Sequence, residues 1–142
     1  MSVRSISIRR CCVSEENKAT VRRIYEAIWN QQNLAFIADH FASDFLGHST
    51  TEIQGPDGLL QRAGPLFAAL HDGEFTIQDQ IAEGDKVVTR WIASGVPAGV
   101  YEDGTAPDNS VTIIGVDIFR IAHSKIIEGW MVAEIKEGGS DG

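Results

Sequence analysis

The chain has 142 residues, of which 43% are hydrophobic and 23% charged, and its formal net charge is -8. That length suits one domain able to bury a core without metal or disulfide staples, and the composition is that of an ordinary globular protein. The acidic balance disfavours nucleic acid and anionic membranes as partners, but it is compatible with a small molecule in a pocket, where the local field outweighs net charge. No segment has the apolar length of a membrane span. The cysteines are the neighbours Cys11 and Cys12. Adjacent cysteines rarely bridge each other, so no disulfide framework is expected, which suits a reducing cytoplasm.

In chain order, residues 1–13 carry Arg4, Arg9 and Arg10 without an acid and lack the apolar run of a secretory signal, so they read as a tail. The domain is expected over 14–136. Ser14 with Glu15 and Glu16 offers a helix N-cap and an acidic first turn. Val21, Ile24, Tyr25 and Ile28 then recur at helical spacing, and Trp29 extends the stripe to about Asn30. A short second helix follows around Leu34 to His40. Asp44 to Ser49 is extended or turn-like. Pro56, in Gly55-Pro56-Asp57-Gly58, can open a third helix, which Gly64-Pro65 is expected to kink or break.

Beyond Gly73 the pattern turns to strands. Phe75 to Ala82 and Val87 to Ser94, joined by Glu83-Gly84-Asp85-Lys86, read as a hairpin. Gly95 to Ser110 reads as a long connection at a pocket mouth. Val111 to Ile121 and Ile126 to Ile135 form a second hairpin through Ala122-His123-Ser124-Lys125, and 137–142 is a second tail. Helices followed by an antiparallel meander imply an α+β domain, with the N-terminal helices packed in the concave face of a curved, mostly antiparallel sheet. Such a cone makes a natural ligand cavity.

The last strand carries the most pointed chemical signal. Val132 and Glu134 share a face, because strand side chains alternate. If that face lines a pocket, Glu134 is a desolvated acid, with its pKa raised toward the range useful for proton transfer. His48, after Phe45-Leu46, is a second group able to exchange a proton near neutrality. Arg90 sits between apolar neighbours and needs a partner such as Glu134 or Asp117, while Asp117 is itself flanked by Val116 and Ile118. Tyr25, Trp29 and Trp130 are candidate pocket walls, although core packing explains aromatic residues equally well. No Gly-x-Gly-x-x-Gly, Cys-x-x-Cys or His-Glu-x-x-His occurs, so neither a nucleotide nor a metal site is expected.

From about Asn17 to Glu134 the chain resembles the SnoaL-like polyketide cyclase family of the nuclear-transport-factor-2-like superfamily. The likeness is carried by Val21-Arg22-Arg23-Ile24-Tyr25-Glu26-Ala27-Ile28-Trp29-Asn30, Phe41-Ala42-Ser43-Asp44-Phe45-Leu46-Gly47-His48 and Gly58-Leu59. It continues through Ala82-Glu83-Gly84-Asp85-Lys86-Val87-Val88-Thr89-Arg90-Trp91, Ile118-Phe119-Arg120-Ile121 and Lys125-Ile126-Ile127-Glu128-Gly129-Trp130. The resemblance implies a cone-shaped α+β barrel, no cofactor, a homodimer through the sheet and a small apolar ligand. It also implies proton abstraction next to a carbonyl by an acid at the position of Glu134, and His48 lies where related isomerases carry a catalytic base; Arg90, Asp117, Tyr25, Trp29 and Trp130 remain the candidates to surround the ligand. Two departures stand out: the family's usual Asp is Glu134 here, and Pro97 replaces the His of its Gly-Thr-His-x-Gly motif. A cyclase or isomerase is the leading expectation. The alternatives are an epoxide hydrolase of the same fold, against which Arg90-Trp91-Ile92 lacks an Asp two residues after the Arg, and a ligand-binding or assembly module without chemistry.

Overall fold

The structure, a computed structural model, describes residues 3–31, 33, 35–97 and 111–137. Helix α1 spans Val3–Tyr25 and passes into one π-helical turn over Glu26–Asn30. Helix α2 is Ala35–His40 and α3 is Gly55–Ala69. The strands are β1 (Phe41–His48), β2 (Glu52–Gln54), β3 (Leu70–Glu83), β4 (Lys86–Pro97), β5 (Val111–Ala122) and β6 (Lys125–Glu137). They form a single unclosed sheet in the order β2-β1-β6-β5-β4-β3, antiparallel except for the parallel β1–β6 pair. This is the expected α+β architecture, with three helices against a curved sheet.

Several boundaries differ from the sequence reading: β1 begins at Phe41, β3 begins at Leu70 and β4 runs on to Pro97. The first helix begins at Val3 instead of Ser14. Residues 3–30 contain neither proline nor glycine, so the backbone has no reason to stop at Ser14, which occupies a helix interior instead of a cap. Helix α3 runs through Gly64-Pro65 to Ala69, where a kink or break was expected. The connection after Pro97, up to Ser110, and the tail after Glu137 lie outside the described residues.

The inner face of the sheet is built by strand parity. Along β5, Ile113, Gly115, Asp117, Phe119 and Ile121 are buried, whereas Ile114 and Val116 are exposed. The register carries this parity across the sheet: Gly115 faces Trp91 on β4, Asp117 faces Thr89 on β4 and Met131 on β6, and Phe119 faces Gly129 on β6. Val21, Ile24 and Tyr25 of α1, Ile37 of α2 and Phe45 of β1 close the core from the helix side. Each such side chain contributes about 1.5–3 kcal/mol on full burial. Two glycines make the aromatic packing possible. A Cβ on Gly115 would lie 2.2 Å from the Trp91 ring, and one on Gly129 would lie 2.8 Å from Phe119. The β5–β6 turn uses His123 and Ser124 at positive φ, 52° and 63°, the twist a two-residue hairpin requires.

Candidate functional site

Among the described residues, one carboxylate is buried inside the cone. Asp117 is 6% exposed, and its Oδ2 accepts hydrogen bonds from the Tyr25 hydroxyl and from Trp91 Nε1, the latter at 2.9 Å. Tyr25 comes from the last turn of α1, Trp91 from β4 and Asp117 from β5, so the site forms only when helix and sheet are docked. Desolvation raises the Asp117 pKa to about 6, and the two hydrogen bonds hold it from rising further. The Tyr25 hydroxyl is pushed above its ordinary value by burial, by the charge of Asp117 and by the hydrogen bond it donates. It therefore remains a proton donor at physiological pH.

An aromatic stack surrounds this group. Phe75 of β3 lies against Tyr25 at 4.9 Å, Trp29 at 5.1 Å and Trp91 at 5.3 Å. Trp29 comes from the π-helical turn, and such turns recur at functional sites. The stack opens on a groove of about 530 Å³ between α1, α2 and β3. Tyr25, Phe36, Phe75 and Ile77 line its apolar part. Arg22, Arg23, Glu26 and Asn30 line it as exposed polar residues. Among the described residues, no group of three or more His, Cys, Asp or Glu side chains is placed to hold a metal ion. No helix of the described residues is long and apolar enough to cross a membrane.

The expected residues divide between the two faces of the sheet. Tyr25, Trp29 and Asp117 lie inside. Glu134 does not: it is exposed and pairs with Ile114 on the outer face, so the expectation of a desolvated acid in the cavity is corrected. The cause is parity: Met131 faces Asp117, so beyond the register shift that leaves Ile126 buried, the even-numbered residues of β6 from Glu128 onward point outward. His48 is also on the outer face, half-buried, with its Nε2 2.9 Å from Glu128 Oε2 and its ring 5.3 Å from Trp130. Trp130 is therefore an outer-face residue as well, with Lys86 Nζ 5.6 Å from its ring centroid. His48 lies opposite Trp130. Four residues of strand then separate it from Glu134 along the sheet, about 13 Å, so the two do not form an acid–base pair. Arg90 is exposed instead of buried. Its Nη1 donates to Gln78 Oε1 at 2.7 Å, and it reaches neither Glu134 nor Asp117. The side chain of Pro97 lies outside the described residues.

Sequence reasoning passed over three contributors. Trp91 is one: its indole N–H holds the central carboxylate. The cross-strand glycine at 115 was the available signal, because a small residue beside a buried Asp leaves room for a large neighbour. Phe75 and the Arg22-Arg23 pair were not read as lining a groove, since that requires knowing how α1 docks on β3.

A family model for SnoaL-like polyketide cyclases matches residues 19–135. Three solved structures illustrate the shared fold. A candidate SnoaL-like polyketide cyclase of Jannaschia sp. CCS1 is 21% identical, with 85% of this chain and 87% of that one covered and a TM-score of 0.72. AclR, a candidate hydroxylase of Streptomyces galilaeus, is 21% identical, with 85% and 90% covered and a TM-score of 0.73. IdmH, a candidate polyketide cyclase of Streptomyces antibioticus, is 22% identical, with 83% and 91% covered and a TM-score of 0.71. At these identities the likeness establishes the fold. No curated protein matches the chain.

Proposed function

Because the chain belongs to the SnoaL-like polyketide cyclase family, we propose that it binds a small, largely apolar carbonyl compound at the groove and aromatic stack, and moves a proton at the carbon next to the carbonyl without a cofactor. The observation that supports this is the buried Asp117 carboxylate, titrating near neutrality and bonded to the tyrosine that lines the groove. A base with a pKa just below the working pH is largely ionised yet still basic enough to take a proton. Tyr25 lines the groove and Asp117, to which it is bonded, does not, so the ligand reaches the carboxylate once Tyr25 has moved aside. Asp117 then takes the proton from carbon, leaving an enolate. The donor that had stabilised the carboxylate and stays in place, Trp91 Nε1–H, can then share the charge that passes to the ligand. Return of the proton at another carbon gives isomerisation, and attack of the enolate on a second carbonyl of the same molecule gives ring closure.

The test is deuterium uptake from D2O next to the carbonyl in a panel of cyclic and aryl ketones, followed by NMR. Catalysed uptake should rise with pH through about 6, following Asp117. Asp117→Asn should abolish it. Tyr25→Phe removes a bond that stabilises the carboxylate, so the rising limb should move to higher pH. Full activity in Asp117→Asn would overturn the assignment.

The same reading includes a cytoplasmic homodimer formed through the outer face. Its support is the row of exposed apolar residues Ile81, Ile114, Val116 and Val132, the last 71% exposed. A face of that kind is a common self-association surface.

A further inference from the structure

The groove has a charge pattern that an apolar ligand does not use. In a chain of net charge -8, two adjacent guanidinium groups, Arg22 and Arg23, line it. Neither forms an ion pair among the described residues. Arg23 Nη2 donates only to the Thr20 hydroxyl, at 3.3 Å, and the Arg22 side chain has no hydrogen bond among the described residues. Glu26, four residues after Arg22, would be its natural helical partner. Its Oε2 instead accepts from Asn30 Nδ2 at 2.6 Å across the π-helical turn. The guanidinium groups are thus left for an anion from outside, which Arg binds best in a planar, bidentate fashion. The apolar side of the groove presents the aromatic rings of Tyr25, Phe36 and Phe75, which favour stacking with a flat aromatic ring, and the volume of about 530 Å³ admits a fused-ring molecule.

We infer that the ligand of this groove is a flat aromatic acid, whose ring system lies on the Phe75–Ile77 wall and whose carboxylate is held by Arg22 and Arg23. This rests on the site reading above and narrows its ligand class from apolar to amphipathic and anionic. The carboxylate anchors the molecule at the rim and points the opposite end of the ring system toward Tyr25.

Isothermal titration with 2-naphthoate and its neutral counterpart 2-naphthylmethanol tests the inference on the whole chain. The acid should bind about tenfold more tightly at low salt, and added KCl should erode the difference. Arg22→Gln/Arg23→Gln should remove the preference, while Arg22→Lys/Arg23→Lys should keep part of it. Both variants change exposed residues, and far-UV circular dichroism checks that they fold. Equal affinity for the two probes, no binding of either, or an unchanged preference in the Gln variant would each overturn the anion site. Proton transfer is tested separately through Asp117. An equal response to the two probes, with ketone exchange still lost in Asp117→Asn, would remove the anion anchor and leave the chemistry standing.

Discussion

Asp117→Asn should change the way stability depends on pH. In the folded protein the carboxyl has its pKa raised from 3.8 to about 6 by burial, and in the unfolded chain it returns to about 3.9. The folded state therefore binds this proton more tightly. The resulting stabilisation is fully present below the unfolded pKa and is lost as pH rises through the folded one. A difference of about two pKa units corresponds to about 3 kcal/mol. Asparagine keeps an acceptor oxygen for Tyr25 and Trp91 but does not titrate. Urea unfolding of both proteins at intervals from pH 4 to pH 8 gives the difference in stability, in which the other titrating groups cancel. That difference should move by about 2.4 kcal/mol in favour of the Asn variant between pH 4 and pH 7.5, since pH 4 already lies at the unfolded pKa. A flat difference would show that the carboxyl has the same affinity for its proton folded and unfolded, and the argument for a buried acid–base group would fail.

Three other perturbations have defined outcomes. Gly115→Ala places a methyl 2.2 Å from the Trp91 ring and should cost about 3 kcal/mol by overpacking, with loss of the near-ultraviolet tryptophan signal because the indole must leave Asp117. His48→Ala removes one of the two partners of Glu128, leaving Arg120, and a ring stacked on Trp130. It should lower stability by about 1 kcal/mol in urea unfolding without slowing ketone exchange. Val132→Asp, at a residue 71% exposed on the outer face, should yield monomer in sedimentation velocity, whereas the parent chain should sediment as the proposed dimer.

The order of elements was legible because turn chemistry punctuates the chain. Gly55-Pro56, Glu83-Gly84-Asp85-Lys86 and His123-Ser124 each fall at an element boundary in the structure. The facing of the last two strands was harder to read. Val111 to Ile121 and Ile126 to Ile135 are apolar at both parities, so alternation alone could not decide between Asp117 and Glu134 as the inward acid. Steric crowding decides it. Gly115 and Gly129 are the positions where Trp91 and Phe119 press against the sheet, which marks their parity as concave and gives Asp117 that face. Trp130, next to Gly129, must then point outward, and Glu134 with it. The start of α1 was missed for a local reason. Ser14-Glu15-Glu16 has the composition of a cap, but a cap operates only where the preceding backbone leaves the helix, and nothing in residues 3–13 makes it do so. The groove was not legible at all, because it is created by α1 docking against β3, and no spacing within either element encodes that contact.

The central claim is that the acid on the concave face, not the one near the end of the last strand, moves the proton. Rates of deuterium uptake into one responsive ketone, measured side by side for Asp117→Asn and Glu134→Gln, test it most directly. Uptake at the uncatalysed background in the first variant and at the parental rate in the second is the predicted result. Parental uptake in Asp117→Asn together with background uptake in Glu134→Gln would contradict it.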